Sequence, residues 1–67
     1  MNIDIRQAVI ANLTGASHDD INKTILDAIN SREEKTLPGL GVLFELIWNS
    51  SAPDDKSRLI DNISSQV

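Results

Sequence analysis

His18 is the only histidine, and it stands between Ser17 and the carboxylates of Asp19 and Asp20. Serine, imidazole and carboxylate are the parts of an acyl-transfer relay, in which each group must hydrogen-bond the next. Neighbours on a helix project roughly 100° apart, so a consecutive run cannot form that line. Ser17 reads instead as a helix N-cap and His18 as an exposed first-turn residue. The pairs Asp19–Asp20, Glu33–Glu34 and Asp54–Asp55 could in principle supply acid–base chemistry or hold a cation. None has the spacing of a calcium loop, and no second cluster of ligands accompanies them. Two of the pairs fall in helix first turns, where the helix dipole favours negative charge. The sequence therefore offers no catalytic residue, no metal ligands and no cofactor-binding residues.

The segment Leu37-Pro38-Gly39-Leu40-Gly41 is the remaining place where chemistry is legible. It looks like the turn of a helix-hairpin-helix module, in which Gly39 and Gly41 would bring backbone N–H groups close to a nucleic-acid phosphate. Such modules usually continue with basic or small polar residues. Here Val42, Leu43 and Phe44 follow, and the next charge is Glu45. The plainer account is that Pro38 starts a helix and the glycines let it pack closely on a neighbour. Net charge is -4 with a pI near 4.6, and the six Lys and Arg form no run, which argues against a nucleic-acid partner.

Four helices must position these residues. The first is expected over 5–13, capped by Asp4 with Gln7 at the capping-box spacing, Ile3 stapled on Ala8, and Gly15 as its stop. Ile5, Val9 and Leu13 line one face, with Ile10 beside them. The second begins after Ser17 and buries Ile21, Ile25, Ala28 and Ile29, with Asp19, Lys23 and Asp27 on the wet side. Residues 30–36 read as a loop or frayed end. Pro38 is expected to push Leu37 out of the helical region and to open the third helix, which runs to about Asn49. The fourth follows Ser51 as cap, with Pro53 in its first turn, Asp54 paired with Arg58, a stripe of Leu59, Ile60 and Ile63, and a frayed end over 64–66.

The third helix is apolar over most of its circumference. Leu40, Leu43, Phe44 and Ile47 share a face with Trp48 at its edge, and Val42 and Leu46 lie on another. A helix of that kind needs cover on more than one side. It is read as the centre of the fold, with Val42 and Leu46 as a possible interaction surface for a partner or a second copy. The fold class is all-α: one domain over 1–67, a compact bundle of four short helices with the third helix central. A chain of this size hides only about 60% of its unfolded surface, so a homodimer stands about level with a monomer. No cysteine is available to reinforce the core. No apolar run is long enough for a membrane span, and residues 1–20 lack the pattern of a secretory signal.

One run carries a resemblance. From Glu33-Glu34-Lys35-Thr36 through Leu37-Pro38-Gly39-Leu40-Gly41-Val42-Leu43-Phe44 to Glu45-Leu46-Ile47-Trp48, the chain resembles the small acid-soluble spore protein I family of endospore-forming bacteria. Ile5-Arg6-Gln7-Ala8-Val9-Ile10-Ala11-Asn12-Leu13-Thr14-Gly15 and Asp27-Ala28-Ile29 look like further blocks of that family. The residues after Asn49 match weakly. Arg32 stands where the family pattern usually has glycine, and Thr36 where it usually has a larger apolar residue. The resemblance implies a minor protein made in the forespore and kept in the spore core, acting in sporulation or dormancy. It implies no enzymatic activity and no cofactor, and leaves the partner unknown. It also sets the chain apart from the major spore proteins that coat DNA, whose sequence blocks are absent here. An interaction module working in sporulation or germination is a further expectation.

Overall fold

The computed structural model describes residues 4–67, so the expected Ile3–Ala8 staple lies outside the described residues. The chain forms α1 (Ile5–Leu13), α2 (His18–Ser31), a 3-10 turn (Glu34–Thr36), α3 (Leu37–Ser50) and α4 (Pro53–Gln66). It is an all-helical bundle, and α3 meets α1, α2 and the 3-10 turn.

The first two helices start as their caps dictate. The Asp4 carboxylate accepts from the Gln7 N–H at 3.1 Å, and the Ser17 hydroxyl accepts from the Asp20 N–H at 3.1 Å. Each supplies an acceptor to an N–H that the helix itself leaves unpaired. Gly15 follows α1 with φ at +78°, the left-handed backbone that glycine adopts without steric cost.

α2 ends differently from expectation. It continues through Ser31, and the next residue, Arg32, turns left-handed at φ +53°. A side chain in that conformation costs about 1–2 kcal/mol, partly regained through the stiffer unfolded chain. Arg32→Gly is therefore expected to stabilise the protein by about 0.5–1 kcal/mol, read as a higher denaturation midpoint with an unchanged denaturant slope.

Residues 30–36 are more ordered than a loop. Glu33 enters the 3-10 turn, where Thr36 N–H bonds the Glu33 carbonyl at 3.1 Å. The Thr36 hydroxyl donates to the Glu33 carbonyl at 2.8 Å and reaches the Ala28 carbonyl of α2 at 3.3 Å. A larger apolar residue at this place would fill space but would lose both bonds.

Leu37 corrects another expectation. It is helical, with φ -60° and ψ -42°, and is the first residue of α3 despite preceding Pro38. The 3-10 turn already holds the Leu37 N–H on the Glu34 carbonyl, and that bond outweighs the local bias against helix before proline. Ser51 does not cap α4. Its hydroxyl bonds back to the Ile47 carbonyl at the end of α3, and Ala52 takes the N-cap position without a side-chain bond. Pro53 occupies the first turn as expected. Arg58 pairs with Asp55 at 3.6 Å rather than with Asp54, and helix persists through Gln66 where fraying was expected.

Candidate functional site

The chemistry-bearing residues of the sequence do not converge. The His18 ring is fully exposed, with Nδ1 3.9 Å from Asp19 Oδ1, while the Ser17 hydroxyl is aimed at the Asp20 N–H. Asp19–Asp20 and Asp54–Asp55 lie in the first turns of α2 and α4. Glu33 pairs with Lys35 at 3.0 Å.

Residues 37–41 form the first turn of a helix and not a hairpin between two helices. Gly41 is the fifth residue of α3, so its N–H belongs to the helix ladder and does not point out toward an anion. Gly39 is covered by α1: a Cβ built there would stand 3.9 Å from the Val9 Cγ2. That is ordinary van der Waals contact and Gly41 would meet nothing within 4 Å, so neither glycine is required by the packing, and Gly39 marks where α1 approaches α3.

That approach settles which side of α3 is the inside. Val42 is 6% exposed and is the buried hydrophobic residue of the described chain. Leu46, about 40° round the helix from it, stays 40% exposed. The pair expected to face outward is therefore split, with Val42 in the seam under α1. Phe44 and Ile47, expected inside, are 41% and 47% exposed. Both sides of α3 are apolar, so hydrophobicity alone could not choose between them. Gly39 and Gly41 bracket the side that α1 covers, and Glu45 lies on it.

Glu45 holds α1 with a two-pronged ion pair. Arg6 Nε and a terminal nitrogen donate to the two Glu45 oxygens at 2.7 and 2.8 Å. The flat guanidinium fork matches the carboxylate, which gives the pair orientation as well as charge. Beside it runs a groove of about 460 Å3, lined by Ile5, Arg6, Pro38, Gly41, Val42 and Glu45. The partners are 39 residues apart, and no local pattern announces them.

The Arg6 hydrogen bond, aided by its charge, lowers the Glu45 pKa below the ordinary 4.5. A carboxyl that binds its proton more weakly when folded contributes stability above its unfolded pKa and loses it as pH falls. The melting-temperature gap between wild type and Glu45→Gln should thus hold steady above pH 4.5 and close on further acidification. A gap that persists in strong acid would mean that the carboxylate is not the source.

At the far end of α3, Trp48 stacks on Phe44 with centroids 5.9 Å apart and planes 29° apart. The Lys56 ammonium of α4 sits 5.3 Å from the Trp48 ring centroid. A second, apolar groove of about 220 Å3 opens between α1, α2 and α3, lined by Val9, Leu13, Ala28, Thr36, Leu40 and Leu43.

Comparison with known proteins bears on this arrangement. The family model for small, acid-soluble spore protein I matches residues 3–67. The chain belongs to this family. It is 49% identical over 63 residues to the small, acid-soluble spore protein I of Bacillus licheniformis, covering 94% of this chain and 90% of that one. Against the protein of the same name from Bacillus subtilis it is 48% identical over 63 residues, covering 94% and 89%. Against that from Halalkalibacterium halodurans it is 48% identical over 64 residues, covering 96% and 94%. No solved structure matches. The match runs through the fourth helix, so family membership extends over the whole bundle and beyond the block at 33–48. The chain is a small acid-soluble spore protein, and among the described residues no helix is long and apolar enough to cross a membrane.

Proposed function

We propose that this chain is a non-enzymatic structural or accessory component of the spore core, acting in sporulation or dormancy. The observation that supports this reading most is how the polar side chains are used. Asp4 and Ser17 cap helices, Arg6 and Glu45 join α1 to α3, and Thr36 joins the 3-10 turn to α2. These groups act in holding a small bundle together, and His18 stands apart from all of them. Family membership supports a spore setting.

The test is to follow the protein through sporulation. Antibody or a small tag should find it first in the forespore, and afterwards in the core fraction of spores stripped of their coats. Recovery with the coats, or from the mother cell, would overturn the placement. A specific observation favours a second reading, that of a protein-interaction module: the Leu37, Phe44 and Ile47 side of α3 is left open.

A further inference from the structure

The single chain exposes more surface than a protein of its mass should. Its accessible surface is 5729 Å2 for 7.3 kDa. A folded monomer of that mass exposes about 4,200 Å2 by the usual scaling. The radius of gyration, 13.2 Å, likewise exceeds the roughly 11 Å expected for 67 residues. The surplus, on the order of 1,500 Å2, is more than the roughly 800 Å2 that each partner hides in a stable dimer of ordinary size.

Exposed apolar side chains occur on every helix, and three of them fall in one line on α3. Leu37 is 60% exposed, Phe44 41% and Ile47 47%, with half-buried Leu40 between them. On a regular helix Leu37 and Phe44 are about 20° apart, and each of the three exposed residues lies roughly 140–160° from Val42. The stripe thus faces away from α1. Ile29 of α2, 53% exposed, borders it beside Leu37 and Leu40.

We infer that this stripe is covered by the same stripe of a second copy, with the two α3 helices antiparallel across a two-fold axis. A two-fold contact sets a surface against itself, so a charge near the axis meets its own like. Leu37, Leu40, Phe44 and Ile47 carry none. Antiparallel alignment sets Leu37 toward Ile47 of the second copy and Leu40 toward its Phe44, large residue against large residue. The helix dipoles then oppose head to tail, which is favourable. Arg32, Glu33 and Glu34 border the Leu37 end of the stripe and would stand at the rim of the contact.

Sedimentation equilibrium of the full chain at high-micromolar concentration tests this. The expected mass is twice the 7.3 kDa of one chain. Phe44→Glu should return it to a single chain with helical circular dichroism retained. Leu46→Glu, on the Val42 side, should leave the doubled mass in place. The chain has no cysteine, so the double variant L37C/I47C gives a second reading that does not depend on the folding of Phe44→Glu. Mild oxidation should link it into covalent dimers, whereas L37C or I47C alone should link poorly. A folded wild-type monomer, a dimer lost with Leu46→Glu but kept with Phe44→Glu, or no linkage in the double variant would each overturn the inference.

Discussion

Val42→Asp is expected to unfold the protein. Val42 is the side chain that α1 and α3 bury together, at 6% exposure, and the cation that lines the groove beside it is Arg6. Arg6, the nearest candidate on α1, is already engaged at both oxygens of Glu45. A charge buried without a partner costs several kcal/mol, or forces the seam open to water. Total stability for 67 residues is on the order of 3–10 kcal/mol. The substitution therefore consumes most or all of it, and far-UV circular dichroism at room temperature should show a largely disordered chain. Val42→Ala is the graded version. It should cost about 2 kcal/mol, from lost methyl burial and the cavity left behind, and keep a cooperative melt. Should Val42→Asp fold as well as wild type, Val42 is not the centre of the chain.

Trp48→Ala should have the next largest effect, and a local one. α4 is 14 residues long, a length at which an isolated helix is marginal in water. It meets α3 at the Trp48 ring, whose centroid lies 5.3 Å from the Lys56 ammonium and which stacks on Phe44 within α3. Deleting a fully buried tryptophan costs about 3–5 kcal/mol, and the half-buried ring here should cost nearer 2–3. The consequence peculiar to this fold is that α4 loosens before the rest. Amide exchange along Pro53–Gln66 should accelerate strongly while α1 and the first turns of α3 keep their protection. Trp48→Phe retains an aromatic face for Lys56 and should lose under half as much. Uniform acceleration over all four helices would show instead that Trp48 belongs to the common core.

Much of this molecule is present in its local chemistry. Asp4, Ser17, Gly15 and Pro53 act within a few residues of themselves, through an N–H to accept from, a left-handed turn to adopt or an N–H to omit. Such signals do not depend on the rest of the fold, which is why helix number, type and most limits follow from them. Local reading failed where a contact from outside the window won. Leu37 is helical because the Glu34 carbonyl holds its N–H. Ser51 faces back to Ile47 and leaves α4 uncapped. Neither outcome contradicts a propensity so much as it outbids one.

The candidate surface was legible as chemistry but not as geometry. The apolar girth of α3 shows that two sides need cover, and family-like blocks show the setting in the spore. Which side α1 takes is not written in hydrophobicity, since Val42 with Leu46 and Phe44 with Ile47 are equally greasy pairs. The choice shows in Val9 lying over Gly39 and in Arg6 reaching Glu45 across 39 residues of chain. The sequence by itself determined the four helices, the caps of the first two and a central segment too apolar for water. Tertiary structure alone decided that Val42 turns inward while Leu37, Phe44 and Ile47 turn out. A periodic pattern records how apolar each side of a helix is. Only close packing between distant segments decides which of two apolar sides is buried.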